Sequence, residues 1–172
     1  MNSKRKGYDV RAIANLVLDI CDARGKVITN LHLNKILFFI HVEFLREYST
    51  PLVSAKLEAW DYGPVYREIY NQFKKNKNLP ISNRAVKVSF DTGEKEVATC
   101  TLKNGDSEKI EELVLFYSDI PAGLLVDLSH ETGGAWDVVW NHKSEFNIGM
   151  EITNEIISDY ELNRARRVNT VQ

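Results

Sequence analysis

"LHLNKILFFIHVEFLREYS", Leu31 to Ser49, is the stretch on which the fold turns. Leu33, Ile36, Leu37, Phe38, Phe39, Ile40, Val42, Phe44 and Leu45 cover most of the circumference of the helix this run predicts. Thr29 or Asn30 can cap it in front, and Pro51 stops it behind. A helix apolar nearly all round is a central one contacted on several sides, or one that also shows a face to a partner. The rest of the chain is therefore expected to pack around it.

Upstream, Val10, Ile13, Ala14, Val17, Ile20 and Cys21 recur at three- and four-residue steps, the period of an amphipathic helix that Gly25 ends. Downstream, "LEAWDYGPVYREIY", Leu57 to Tyr70, sets Trp60, Tyr62, Tyr66 and Tyr70 around a Gly63-Pro64 corner. Pro64 fits the first position of a third helix, with Val65, Ile69 and Phe73 on one face and Tyr66 and Tyr70 on the adjacent stripe. From Ala85 to Leu102 the pattern alternates: Val86, Val88 and Phe90 precede "DTGE", and Ala98, Cys100 and Leu102 follow it. This predicts a β-hairpin with Gly93 in its turn. A lone hairpin is marginal in water, so it should dock on the helices or pair with a third strand around Lys56 to Ala59.

Ser107 can cap a fourth helix and Pro121 can open a fifth, which Gly133-Gly134 ends. Trp136 and Trp140 share one face of a short sixth helix, and a last one is expected over 151–168, with Ile152, Ile156, Ile157 and Tyr160 apolar. The fold class is mainly α (α+β): a compact bundle of six or seven helices with a small β-hairpin or three-stranded sheet. With 172 residues, the expectation is one domain over 1–172 with enough length for a real core.

Hydrophobic residues make up 44% and charged residues 27%, which argues against a disordered chain. The net charge of -2 lacks the positive field of a dedicated nucleic-acid binder. Short basic clusters lie at Lys4 to Lys6, Lys74 to Lys77 and Arg164 to Arg167, and read first as solvated surface. The two cysteines, Cys21 and Cys100, have no metal-ligand spacing and are expected as small buried hydrophobes. No run approaches the ~20 apolar residues of a membrane span, so a cytoplasmic protein without membrane contact is expected.

The chemical candidates are few. "SHETGGAW" places Ser129, His130 and Glu131 side by side, but neighbours on a helix point in different directions and do not form a nucleophile-base pair. His32 and His41 lie nine residues apart on the second helix, facing opposite sides, and so do not chelate together. Neither GxGxxG nor GxxxxGK[ST] occurs. No catalytic residue, metal site or cofactor is expected, and His130 reads as a helix-end histidine or a contact for a partner.

Three segments carry a resemblance. "LNKILFFIHVEFL", "LEAWDYGPVYREIYNQFK" and "LSHETGGAW" are similar, in order and approximate spacing, to the KLQKLLYFAQ-like helix, the AWxYGPVxxxVY block and the LTHxExPW segment of the Panacea (SocA-like) antitoxin domain family. The motif-bearing part spans 9–148; Gly133-Gly134-Ala135 departs from the family pattern, while Trp136 aligns naturally. The resemblance implies a non-enzymatic bacterial or prophage protein that neutralises a cognate toxin protein by direct binding. In one branch of the family, it implies an adaptor that delivers the toxin to a protease.

Interfaces favour aromatic anchors, so Tyr62, Tyr66, Tyr70, Phe38 and His130 are the candidate partner-binding residues. Trp60, Gly63, Pro64, Val65 and Trp136 are the motif and structural residues. Two readings stand beside this one. The first is a nucleic-acid-associated or phage regulatory protein using Lys74, Lys75, Lys77 and the Arg164, Arg166, Arg167 tail. The second is a hydrolase built on His130. A homodimer through the second helix is also open.

Overall fold

The structure is a computed structural model, and it describes residues 6–142 and 149–162. The helix α1 (Val10–Ala23) starts where the Asp9 carboxylate accepts from the Arg11 N–H at 2.9 Å, and ends at Gly25, whose φ of 65° closes the turn. Its buried stripe is Val10, Ile13, Ala14, Val17, Leu18 and Cys21. The helix α2 (Asn30–Tyr48) is capped by the Thr29 hydroxyl on the His32 N–H and ends at Ser49 in the left-handed conformation. As its all-round apolarity predicts, it is central: α1, α4 (Asp106–Ser118), α5 (Ala122–Ser129), α3 (Arg67–Phe73) and the strand β2 (Gly63–Tyr66) all pack on it. Phe38, Phe44, Leu33, Ile36, Leu37 and Ile40 are wholly buried.

The strand β1 (Leu57–Trp60) pairs antiparallel with β2, with Ala59 opposite Pro64 and Trp60 opposite Gly63. This corrects two sequence expectations. Pro64 does not open the third helix, which begins at Arg67; and the strand near Lys56 pairs with the chain that follows it, not with the hairpin. Pro64 is tolerated because the outer edge of β2 meets side chains of α2 instead of a further strand, so its missing N–H leaves no ladder bond unmade. The other edge of β1 is covered by the 150–152 segment, through Ala59 N–H to the Met150 carbonyl and Ile152 N–H to the Leu57 carbonyl, both 2.8 Å.

The expected hairpin forms as β3 (Val86–Val88) and β4 (Lys95–Val97), with Gly93 at φ 71° in the connection. It docks by its base alone. Asn15 of α1 donates to the carbonyls of Ala85 and Ala98, both at 2.9 Å, and accepts from the Ala85 N–H at 2.7 Å. Gln72 of α3 grips both backbone groups of Val86. Beyond that base Val88 and Phe90 stand in solvent, and Cys100, expected inside, is exposed past the end of β4. The alternation correctly marked strands, but their apolar face has no layer over it.

The helix α6 (Ala135–Trp140) carries Trp136 and Trp140 as predicted, and its first N–H, at Ala135, donates to the buried Glu161 carboxylate at 2.7 Å. Glu161 lies in a π-helical stretch (Ile157–Leu162) that continues α7 (Asn154–Ile156), so the expected regular last helix is a short turn that widens. Residues 163–168 of that prediction, and the Arg164, Arg166, Arg167 cluster, lie outside the described residues, as does Lys4.

Asn15 is the bolt between α1 and the hairpin. Asn15→Ala leaves the Ala85 N–H and the Ala98 carbonyl short of a partner, while the Ala85 carbonyl keeps the Ala98 N–H, and is expected to cost ~2 kcal/mol in urea unfolding. Hydrogen exchange at Val86 and Val97 should speed up before exchange in α2 does.

Candidate functional site

In the first two turns of the apolar helix α2, Asn30, Asn34 and Lys35 are polar and buried. Each is spent on the chain that crosses it. Asn34 donates to the Asn30 carbonyl and to its side-chain oxygen, and accepts from the Tyr66 N–H, all at 3.0 Å. Asn30 donates to the Tyr70 carbonyl at 3.1 Å. Lys35 reaches full burial and donates its Nζ to the Pro64 carbonyl at 2.8 Å. These bonds satisfy the outer edge of β2 and fix the start of α3 against α2.

The third motif closes over the same point. Gly63 sits at φ 96°, and a Cβ there would come within 2.4 Å of the Ser129 hydroxyl and 3.0 Å of Lys35 Cε. Only glycine fits this crossing. Ser129 at the end of α5 donates to the Val126 carbonyl at 2.8 Å. The His130 ring, in the next position, stacks on Trp136 with centroids 3.7 Å apart. The Trp136 indole in turn donates to the Trp60 carbonyl at 2.8 Å and stacks on Trp140. The three segments that carry the family resemblance therefore interlock around Lys35, Gly63, Ser129 and Trp136.

The electrostatics of this knot follow from burial. Burial lowers the Lys35 amine to about 7 and, together with the charge of Lys35, lowers His130. The His130 Nε2 is buried with no hydrogen-bond partner among the described residues. On the far side of β1, burial alone would raise the Glu58 carboxyl, but hydrogen bonds from the Trp60 indole at 2.9 Å and from Arg67 hold it below the usual carboxylate range. Glu58 thereby fixes the Trp60 ring, which meets Tyr70 edge-on at 4.9 Å.

Above the knot lies a groove of about 890 Å3 between the start of α2, the β1–β2 turn, the end of α3 and Trp140. Of the residues expected to meet a partner, Tyr62 and Tyr70 line this groove, and Tyr62 is 68% exposed. Phe38 and Tyr66 do not reach any surface: both lie in the core, because the α2 face holding Phe38 is covered and the Tyr66 backbone is pulled down by Asn34. His130 is half-buried against Trp136. Gly63, Pro64, Val65 and Trp136, read from the sequence as motif and structural residues, are buried, while Trp60 is half-buried and lines the groove.

Sequence reasoning passed over Asn30, Asn34, Lys35 and Glu58. The signal was there: a lysine and two asparagines inside an otherwise apolar helix need buried partners. Among the described residues no three His, Cys, Asp or Glu side chains stand close enough to hold a metal ion, and no helix is long and apolar enough to cross a membrane.

Two substitutions test the knot. Gly63→Ala combines a disfavoured φ with overpacking against Ser129 and Lys35, and is expected to cost about 2–4 kcal/mol in thermal or urea unfolding. For Lys35 the folded amine titrates near 7 and the unfolded one near ~10.4, so between these values the unfolded chain binds more protons. Stability therefore rises with pH across that window, by up to ~1.4 kcal/mol per pH unit, and is flat in this term below it. Lys35→Met is expected to lose that slope between about pH 7.5 and 9; an unchanged slope refutes the assignment.

Comparison with known proteins agrees with the motifs. The family model described as "Antitoxin SocA-like, Panacea domain" matches residues 33–137, a span that runs from α2 to α6 and contains all the knot residues. The chain is 37% identical over 155 residues to the protein named Antitoxin SocA of Caulobacter vibrioides (strain NA1000 / CB15N), covering 90% of this chain and 82% of that one. No solved structure matches. With the matched span covering most of the chain and its three signature segments folded into one interlocked unit, the protein belongs to the antitoxin SocA-like, Panacea domain family.

Proposed function

We propose that this protein is an antitoxin that neutralises a cognate toxin protein by direct binding, and that the toxin meets it at the exposed aromatic edge of the Trp60 to Tyr70 segment. Family membership supports the role, as does similarity to a protein whose name is Antitoxin SocA. One geometric observation supports the location. The signature segment divides into a buried half, Gly63 to Tyr66, that locks onto α2, and an exposed half in which Tyr62 and Tyr70 flank an open groove beside Trp60. Exposed aromatic side chains next to a concavity are what protein interfaces use as anchors.

A binding role also fits the chemistry of the polar cluster. The Ser129 hydroxyl is committed to the Val126 carbonyl, Lys35 is wholly buried, and the His130 ring is stacked. A nucleophile-base pair needs two groups within hydrogen-bond reach of each other and of a substrate; these three serve the packing of β2 against α5.

Co-expression with the product of the adjacent gene tests the reading. That neighbour is expected to arrest growth alone and to be silenced by this chain, with the two proteins co-purifying. Toxin abundance followed in the same cells separates simple sequestration from delivery to a protease, since only the second lowers it. A neighbour that is harmless alone, or that stays toxic in the presence of this chain, removes the antitoxin reading.

A further inference from the structure

The geometry points to the occupant of the groove: we infer that it receives a short acidic segment of a protein partner, an apolar anchor flanked by carboxylates. The identity of that partner as a toxin rests on the antitoxin reading above; the chemistry of the segment does not. The groove walls are apolar, with Leu31, Trp60, Tyr62, Tyr70 and Trp140 contributing to them. Its floor includes Asn30 and Asn34, whose amides are already spent on one another and on the backbone of Tyr66 and Tyr70. A floor with its hydrogen bonds consumed favours an apolar anchor over a polar small molecule.

The charges decide what flanks the anchor. Lys74 and Lys77 line the end of the groove at the close of α3, with Lys75 between them in sequence, and no ion pair among the described residues engages any of the three. Lys77 holds φ 53° and ψ -121°, a conformation that disfavours any residue but glycine. Against these two lysines the groove lining holds one acidic residue, Asp61 on the β1–β2 turn. The lining is therefore positive on balance, and acidic flanks are attracted to it. A nucleic acid strand would lay phosphates past Asp61 on a chain whose net charge is already negative.

Fluorescein-labelled peptides read this directly by anisotropy at physiological salt. Three are compared: a tryptophan-leucine anchor with glutamate flanks, the same anchor with lysine flanks, and glutamate flanks around alanine. The first is expected to bind the wild-type chain, and the other two about tenfold more weakly or worse. In K74E/K77E, whose substitutions are on exposed side chains, preference between the acidic and basic flanks is expected to reverse. Equal binding of the three peptides, or a preference unmoved by K74E/K77E, overturns the inference. Displacement of the acidic peptide by oligo-dT, with affinity falling steeply as salt rises, overturns it in favour of nucleic acid.

Co-expression separates this inference from the function it builds on. If the wild type silences the neighbouring gene product and K74E/K77E silences and binds it equally well, the groove inference falls and the antitoxin reading stands. If the wild type does not silence it, the antitoxin reading falls and the peptide measurements decide the groove alone.

Discussion

A lysine amine buried under a proline carbonyl, Lys35 Nζ on Pro64 at 2.8 Å, is the constraint on which the other contacts of this fold hang. Taking an ammonium out of water costs several kcal/mol, and burial lowers this amine to about 7, so the charged form is only partly compensated by its one carbonyl acceptor. The geometry of this contact comes from three directions. The central helix carries the amine, the β1–β2 pair presents the carbonyl, and the end of α5 brings Ser129 within a Cβ's width of Gly63. An apolar residue of the same length could fill the space but would strand the Pro64 oxygen. Gly63, next to Pro64, pairs with Trp60, whose carbonyl accepts from the Trp136 indole, so this contact stands one residue from the one that ties in α6.

The helices were legible because their apolar period is long and their caps are explicit. Thr29, Gly25 and Pro121 mark ends that the structure keeps to within a residue or two. The Gly63-Pro64 corner was misread for a physical reason: a proline at a helix start and a proline on a strand edge satisfy the same local rule, a missing N–H that no neighbour needs. What decides between them is the polar set of α2 at distance in sequence, and one-dimensional periodicity does not see it. Cys100 and Phe90 failed likewise. Alternation reports a strand, but whether a second layer covers its apolar face is set by tertiary packing.

The candidate site was legible in part. Tyr62 and Tyr70 emerge where an aromatic segment suggested contact, but Tyr66 is held in the core by its bond to Asn34, and Phe38 lies there because its face of α2 is covered. The distinction has a general form. Residues that recognise one another inside the domain and residues that recognise a partner are interleaved at single-residue spacing, because a strand alternates its faces and a short helix follows at once. Scaffold and surface are therefore read from the same few letters. Separating them takes the depth of each side chain, which only the fold supplies.

The stacked indoles give the molecule an unplanned instrument. All three tryptophans of the chain gather at one end: Trp136 lies between the His130 and Trp140 rings and bonds the Trp60 backbone, and Trp60 and Trp140 line the groove. The remainder of the chain is dark under selective indole excitation. Its native emission is thus a local signal, sensitive to the protonation of an adjacent imidazole and to anything that enters the cleft, and indifferent to events at the hairpin.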